Sequence, residues 1–118
     1  GEYFADRGDD VTTVAVEPAS SPTVTDRCRD GHDIQGIGPG FLPDVLRTGL
    51  IDEVRKVTAD EARTAARRLG REAGLLVGIS SGAALAAATA YATEYPAETT
   101  VVVLPDTGER YLSTGLFE

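Results

Sequence analysis

Residues 78–82 (GISSG) place two adjacent hydroxyls where the sequence predicts that a strand gives way to a helix. Free backbone N–H groups at a helix N-terminus attract anions and polar ligands, so Ser80 and Ser81 could bind a ligand. The same serines could instead serve only as an N-cap. A nucleophile elbow is excluded, because a Gly-x-Ser-x-Gly serine needs a triad and His32, the only histidine, lies in a distant loop.

A second candidate segment is the glycine turn, residues 35–40 (QGIGPG), in which Gly36, Gly38 and Gly40 alternate with other residues. Glycine tolerates positive φ and lets the backbone come close to a ligand. The spacing is not Gly-x-Gly-x-x-Gly and no clear strand precedes it, so it does not predict a dinucleotide site. The local pattern leaves a flexible surface loop open as the alternative.

A third candidate segment is residues 105–114 (PDTGERYLST), which follow the apolar stretch at residues 100–104. In open α/β sheets, ligands lie beyond the carboxyl ends of strands, and residues 105–108 would sit at such an end. Glu109 and Arg110 could be catalytic or could form a structural ion pair.

The remaining reactive side chains give weaker signals. His32 is expected on a surface loop, and no group of residues has the ligand spacing of a zinc site. Lys56, the only lysine, lies in a short predicted strand between charged residues, without the desolvated pocket that a Schiff-base lysine requires. Cys28 is the only cysteine and has no paired base, so it is expected to be an inert loop residue.

Four short strands and two helices are predicted to position these segments. The strands are β-branched or continuously apolar, at residues 11–16, 53–57, 75–77 and 100–104. A continuous apolar strand such as residues 100–104 is typical of a parallel sheet. The alternation of strands and helices favours an α/β fold with right-handed crossovers.

The first predicted helix has a clear start and end. Thr58 and Glu61 fit a capping box, and Gly74 is a natural C-cap. Its apolar face comprises Ala62, Ala65, Ala66, Leu69 and Ala73. The second helix, residues 83–94, is apolar all round in its first half and is therefore expected to be buried. Residues 20–40 form a long loop, which is often functional in a compact domain.

Composition excludes several classes of protein. Acidic residues outnumber basic ones by 19 to 11, and the formal charge of -8 would repel nucleic acid and anionic membranes. No apolar run approaches the length of a membrane span. A single cysteine allows no internal disulfide and fits a reducing cytoplasm. The scarcity of lysine could reflect a GC-rich genome or adaptation to high salt, and both remain open.

Three motifs together resemble the cysteine synthase (O-acetylserine sulfhydrylase) family: residues 31–43 (GHDIQGIGPGFLP), 78–83 (GISSGA) and 105–117 (PDTGERYLSTGLF). Their order and spacing also fit that family, from about residue 11 to the end of the chain. The ending GERYLST favours cysteine synthases over their cystathionine β-synthase relatives. The family has the fold type II architecture of pyridoxal-phosphate enzymes, a three-layer α/β fold whose mostly parallel sheet carries helices on both faces.

The resemblance implies that residues 1–118 are the C-terminal segment of such a catalytic domain. The family's Schiff-base lysine and its substrate-carboxylate and phosphate loops match nothing here, and residues 1–4 resemble the helix that follows the phosphate loop. No catalytic residue and no metal are therefore expected in this segment, and the segment alone is expected to be inactive.

The resemblance also implies roles for the three motifs. The family's serine matching Ser80 hydrogen-bonds the pyridine nitrogen of pyridoxal phosphate, and Pro105 and Asp106 would line the edge of the ring. The turn matching Gln35, Gly36, Ile37 and Gly38 lies at the cleft and moves when substrate binds. The family often has serine where this chain has Asp106-Thr107, which leaves the polarity of the pocket open.

The implied activity is β-replacement, in which O-acetylserine and sulfide give cysteine and acetate in the cytoplasm. Family members are usually homodimers and often bind the C-terminal tail of serine acetyltransferase. The alternatives are a cystathionine β-synthase or an O-phosphoserine sulfhydrylase on the same scaffold, or a non-catalytic α/β binding module.

Overall fold

The computed structural model describes residues 2–22, 31–40 and 42–117, without the side chain of Arg110. Cys28 lies outside the described residues. Within these ranges, five helices and strands follow one another: helix α1 (Glu2–Arg7), strand β1 (Val14–Pro18), strand β2 (Glu53–Val57), helix α2 (Ala59–Ala73) and helix α3 (Ile79–Glu94). Single 3₁₀ turns occur at Thr48–Leu50 and Gly108–Tyr111.

Strands β1 and β2 are parallel neighbours, with Val14 opposite Glu53 and Pro18 opposite Val57. The prediction of a strand at residues 53–57 is confirmed residue for residue. A parallel pair needs a long crossover, and here the crossover is the segment that contains the glycine turn. This topology brings the glycine turn back to the end of β1.

The predicted strand at residues 11–16 is wrong in its bounds, because β1 begins at Val14 and includes Pro18. The Thr13 N–H donates to Oδ2 of Asp52 at 2.7 Å, and the Thr13 carbonyl accepts from the Asp52 and Glu53 amides. This side-chain contact replaces ladder hydrogen bonds before Val14. Proline is tolerated at Pro18 because it is the last residue of the strand.

Helix α2 has the ends that the sequence predicts. The Thr58 hydroxyl accepts from the Glu61 N–H at 3.2 Å, and the Glu61 carboxylate accepts from the Thr58 N–H at 2.8 Å. Gly74 follows in the left-handed conformation, with φ of 68°, and its N–H donates to the Leu69 carbonyl. Of the predicted apolar face, Ala62 and Ala66 are fully buried, Ala65 and Leu69 are half-buried, and Ala73 is exposed.

Small residues let α2 and α3 pack closely. A Cβ added to Gly82 would lie 2.1 Å from the Ala62 carbonyl oxygen and 3.0 Å from the Ala66 Cβ. No side chain fits in that space, so the first turn of α3 is held against α2 by backbone contact. The buried neighbour Ala83 completes this interface.

Helix α3 differs from its prediction in two ways. It starts at Ile79, four residues before the predicted start, so Ser80 and Ser81 lie inside the first turn rather than before it. The prediction that the helix is buried holds only in part, because full burial follows one stripe through Ala83, Ala87 and Tyr91 and Ala90 is exposed. Alanine is compatible with both environments, so an apolar sequence alone did not reveal the exposed side.

The strands predicted at residues 75–77 and 100–104 are not formed among the described residues. Val77 makes one isolated antiparallel bridge to Thr107, while Leu75, Val101 and Val103 are 49%, 85% and 74% exposed. The Gly108 N–H also donates to the Leu76 carbonyl, so residues 75–77 have only this short partner. A strand requires a neighbour for its backbone groups, and the described part of the chain supplies none to residues 100–104. The α/β class itself is confirmed by the parallel pair and its packed helices.

The core lies between α2, α3, β2 and the two segments that carry candidate motifs. Its fully buried members include Ile34, directly before the glycine turn, and Tyr111 and Leu116 from the last motif. Arg67 of α2 donates to the carbonyls of Gly115 and Leu116 and so fixes the end of the chain. Among the described helices, none is long and apolar enough to cross a membrane.

Candidate functional site

Ser80 lies in the first turn of α3, two residues after the N-cap Gly78. The N-cap glycine offers no side chain to the first-turn N–H groups, and the Asp106 carboxylate lies beside it instead. Ser80 is 7% exposed and Ser81 is fully buried. The two predicted hydroxyls are therefore held inside the protein at a positive helix end.

Asp106 gathers three hydroxyls onto one carboxylate. Its Oδ1 accepts from Ser81 Oγ at 2.7 Å and from Ser80 Oγ at 3.2 Å, and its Oδ2 accepts from the Tyr111 hydroxyl at 2.6 Å. A carboxylate has lone pairs for all three donors. Two of the sequence-predicted cofactor-binding residues, Ser80 and Asp106, are thus in direct contact, although 26 positions separate them.

Gly78 makes this contact possible. A Cβ at position 78 would lie 2.1 Å from Oδ2 and 2.4 Å from Cγ of Asp106. The Gly78 N–H also points to the Asp106 carbonyl at 3.4 Å. Position 78 therefore requires glycine because the Asp106 carboxylate comes so close to it. The GISSG motif alone does not reveal this reason.

The glycine turn lies over Ser80. Gly36 has a φ of 96°, and a Cβ on it would lie 3.6 Å from Ser80 Oγ. Gly38 has a φ of 58°, and its added Cβ would lie 2.6 Å from Pro18 Cγ at the end of β1. Both glycines are thus required by backbone conformation, and Gly38 also by space. Ser80 has the backbone at Gly36 close to one side and Asp106 on another.

The other predicted site residues occupy the rims of this region. Gln35 is exposed, and Ile37 is half-buried against the core. Pro105 is exposed immediately before Asp106. Glu109 is exposed and accepts from the Thr107 hydroxyl at 3.0 Å, whereas the Arg110 side chain lies outside the described structure.

His32 is not the plain surface histidine that the sequence predicts. It is half-buried, its Nε2 lies 2.7 Å from the Gly38 carbonyl oxygen, and its Nδ1 accepts from the Ile34 N–H at 3.1 Å. Sequence reasoning missed this role because a single histidine matches no catalytic or metal pattern. The available signal was its position three residues before the glycine turn.

A groove of about 550 Å³ lies at the other end of α3, between the helix and β2. It is lined by Glu53, Arg55, Lys56, Val57, Glu61, Ala86, Ala87, Ala90 and Glu94. Glu94 is 14 residues along α3 from Ser80, or roughly 21 Å at the helical rise. The groove and its lysine are therefore separate from the region around Ser80.

Arg55 joins β2 to the end of α3 at this groove. Its two terminal nitrogens donate to both Glu94 oxygens at 3.1 and 2.6 Å, and its Nε donates to Glu53 at 2.8 Å. The hydrogen bonds that Arg55 donates to Glu94 lower the pKa of Glu94 and raise the pKa of Arg55. This fork-shaped pair fixes the far end of α3.

A buried hydroxyl at a helix N-terminus, a glycine turn over it and the Asp106 carboxylate beside it thus meet in one region of the molecule. Residues 1–106 match the family model described as pyridoxal-phosphate dependent enzyme. The chain belongs to this pyridoxal-phosphate dependent enzyme family. The resemblance of the three motifs to a pyridoxal-phosphate enzyme family is therefore confirmed.

Within that family, the chain is similar to cysteine synthases. It is 49% identical over 121 residues to the cysteine synthase of Haemophilus influenzae, covering 96% of this chain and 38% of the relative. The crystal structure of a cysteine synthase from Entamoeba histolytica superposes with a TM-score of 0.93 at 36% identity, covering 98% of this chain and 35% of that one.

An O-acetylserine dependent cystathionine β-synthase from Helicobacter pylori superposes with a TM-score of 0.89 at 33% identity, over 99% of this chain and 38% of that one. The chain thus spans a little over a third of the length of the relatives it matches.

Proposed function

We propose that the protein that carries this chain makes cysteine from O-acetylserine and sulfide, with pyridoxal phosphate bound beside Ser80. The observation that carries the proposal is the meeting of Ser80, Gly36 and Asp106, which come from three separate motifs. These are the motifs through which the chain resembles cysteine synthases. In this proposal the 118 residues are the C-terminal segment of the catalytic domain.

The residues around Ser80 fit one edge of a flat heteroaromatic ring. Position 36 is a glycine, and the nearest atoms that a Cβ there would meet are Ser80 Oγ and Cβ, at 3.6 and 3.7 Å. The missing side chain leaves room beside the hydroxyl that a ring edge can use. An uncharged hydroxyl at a positive helix end disfavours an added proton on the ring nitrogen, whereas the Asp106 carboxylate bonded to that hydroxyl favours one.

Pyridoxal phosphate, when bound, would withdraw electrons from the amino-acid substrate, so that acetate leaves the β-carbon and sulfide replaces it. Ser80 would hold the ring nitrogen through its neutral hydroxyl. Ser81 and Tyr111 also donate to Asp106, so the Ser80 proton can turn from Asp106 toward the ring without leaving that carboxylate bare. The positive φ of Gly36 lets backbone, rather than a side chain, face the substrate.

The amine that binds the cofactor covalently comes, in this proposal, from polypeptide beyond residues 1–118. Lys56 is exposed and lines the groove along the second half of α3, whereas Ser80 lies in its first turn. The 118-residue chain alone should therefore give no borohydride-trapped adduct on Lys56. Mass-spectrometric detection of such an adduct would contradict this assignment.

The direct test is an assay of the whole protein with pyridoxal phosphate and a panel of substrates. Donors are O-acetylserine, O-phosphoserine and serine, and acceptors are sulfide and homocysteine. The proposal expects the highest kcat/KM for O-acetylserine with sulfide. A preference for homocysteine, or no turnover of any pair by cofactor-loaded protein, would contradict it.

A sister activity is the second candidate, favoured by one departure from the family pattern. Asp106 and Thr107 stand where cysteine synthases often have serine, and the Helicobacter pylori neighbour is named for cystathionine β-synthase activity. O-Phosphoserine sulfhydrylase activity is separated by the same donor panel. A non-catalytic α/β binding module would bind no cofactor in the whole protein.

The same proposal includes a cytoplasmic homodimer that binds the C-terminal tail of serine acetyltransferase. The single cysteine suits a reducing compartment. Tail binding would fall on the cleft between the glycine turn and Ser80, so a tail peptide should compete with O-acetylserine. The native mass of the whole protein tests the dimer.

A further inference from the structure

The side chain of His32 hydrogen-bonds to backbone groups on both sides of Gly36 in the glycine turn. Its Nδ1 accepts from the Ile34 N–H at 3.1 Å, and its Nε2 lies 2.7 Å from the Gly38 carbonyl oxygen. The Ile34 amide can only donate, so Nδ1 carries no proton in this arrangement. The proton is then on Nε2, which donates to Gly38. One neutral imidazole therefore satisfies both ends of the turn.

The turn also contacts the hydrophobic core and the end of β1. Ile34 is 1% exposed in the core, and Ile37 packs against it. A Cβ on Gly38 would lie 2.6 Å from Pro18 Cγ and 3.0 Å from Nε2 of His32. Gly38 is thus fitted between the end of β1 and the imidazole, and it has no room to move toward either.

Gly36 lies on the part of the turn that faces Ser80. Its added Cβ would be 3.6 Å from Ser80 Oγ, while the imidazole bonds the residues on both sides of it in sequence. Loss of the His32 hydrogen bonds would therefore change the distance between the Gly36 backbone and Ser80. His32 would act on this region through the turn.

We propose that His32 is the positioning residue for the substrate-facing turn, residues 35–38. As far as a substrate is concerned, this rests on the proposed function. His32 sets the conformation of the turn before substrate binds, so that ordering the turn costs less on binding. Its loss weakens substrate binding more than it slows the reacting complex.

Three variants of the whole protein separate the two hydrogen bonds. His32→Asn keeps an oxygen that can accept from the amide two residues ahead, but it cannot reach Gly38. His32→Gln keeps a donor at the distance of Nε2, and His32→Ala removes both bonds. Asp33→Asn is the matched control, because the Asp33 side chain is 78% exposed and points to Arg63 rather than to the turn.

The first readout is amide hydrogen exchange across residues 34–38 in the whole protein without substrate. Loss of one or two hydrogen bonds should speed exchange in this segment by about 3- to 10-fold in His32→Ala. His32→Gln should restore slow exchange at residues 36–38, and His32→Asn only at residue 34. Unchanged exchange in His32→Ala, or His32→Gln that behaves like His32→Ala, would overturn the proposal.

The second readout is the split between KM and kcat. For the same loss of hydrogen bonds, KM for the amino-acid substrate should rise by about 3- to 10-fold in His32→Ala, with kcat within about twofold. Equal KM in wild type and His32→Ala would overturn the positioning role in an active enzyme.

If no substrate pair is turned over, the proposed function fails, while the hydrogen-exchange readout still tests the role of His32. Circular dichroism confirms folding, and His32→Gln carries the test if His32→Ala unfolds.

Discussion

The hydroxyl of Ser81 lies 2.7 Å from Oδ1 of Asp106, and this contact joins the first turn of α3 to the segment after residues 100–104. Ser81 is fully buried, and the Asp106 carboxylate is also shared with Ser80 and Tyr111. Asp106 is therefore the centre of a hydrogen-bond network. It ties two of the three motifs together.

Removing the acceptor at this centre should destabilise the protein. Asp106→Asn retains the shape but replaces one acceptor oxygen with a donor that faces hydroxyls. The expected loss is about 1–3 kcal/mol of unfolding free energy, the cost of leaving buried donors unsatisfied. Urea unfolding of the whole protein measures it. Asp44→Asn, at an exposed position, is the control, and equal loss in both variants would contradict the network.

The close packing of α2 on α3 should make Gly82 intolerant of any side chain. In an open helix, Gly→Ala is worth about 1 kcal/mol of stabilisation. Gly82→Ala instead places a Cβ 2.1 Å from the Ala62 carbonyl, so we expect a net loss of about 1–3 kcal/mol from overpacking.

Gly49→Ala is the control for this clash, since a Cβ on Gly49 meets no atom within 4 Å. It should leave the midpoint of urea unfolding unchanged or slightly higher. A stabilising Gly82→Ala would show that the two helices are farther apart than described.

Removing the capping box of α2 should lower the stability of the protein. Thr58→Ala removes the acceptor for the Glu61 N–H, at an expected cost of about 1 kcal/mol. Thr64→Ala, on the exposed face of α2, should be neutral or slightly stabilising. Thermal unfolding of the two variants side by side checks the difference, and equal midpoints would mean that the cap contributes nothing.

The Arg55–Glu94 pair should give stability that depends on pH. Arg55 lowers the pKa of folded Glu94, so the unfolded state binds the proton at higher pH than the folded state. The resulting stability is present above the pKa that Glu94 has in the unfolded state. It is lost as pH falls through the pKa that Glu94 has in the folded state. The difference in unfolding free energy between wild type and Glu94→Gln should therefore shrink as the solution is acidified.

Glu72→Gln is the control for this pH series, because Glu72 pairs with Arg68 on the exposed face of α2. Exposed pairs of this kind contribute little. A Glu94→Gln difference that is the same at acidic and neutral pH would contradict the role of Arg55.

The sequence predicted those parts of the fold whose determinants are local. Thr58, Glu61 and Gly74 act within one helical turn, and β2 is bounded by residues beside it, so these predictions are confirmed. The meeting of Ser80 with Asp106 and of Gly36 with Ser80 was anticipated only through the family resemblance. No local pattern indicates which distant segments touch.

The predictions that failed depend on partners at a distance. Residues 100–104 are strongly β-prone, yet strand formation requires a neighbour that the described residues do not provide. The start of α3 was placed at the alanines, because Ser80 and Ser81 suggested a cap. Their hydroxyls instead bond to Asp106 from inside the helix. His32 was missed for another reason: its two partners are nearby backbone groups, at Ile34 and Gly38, and backbone groups leave no mark in the sequence.

The most direct test of the account is the absorbance spectrum of pyridoxal phosphate in the whole protein when Ser80 is changed to aspartate. An anionic side chain beside the ring nitrogen would favour its protonation, so Ser80→Asp should shift the absorbance maximum and depress turnover, while Thr64→Ala leaves both unchanged. A Ser80→Asp protein with the wild-type spectrum and rate would contradict the placement of the cofactor beside Ser80.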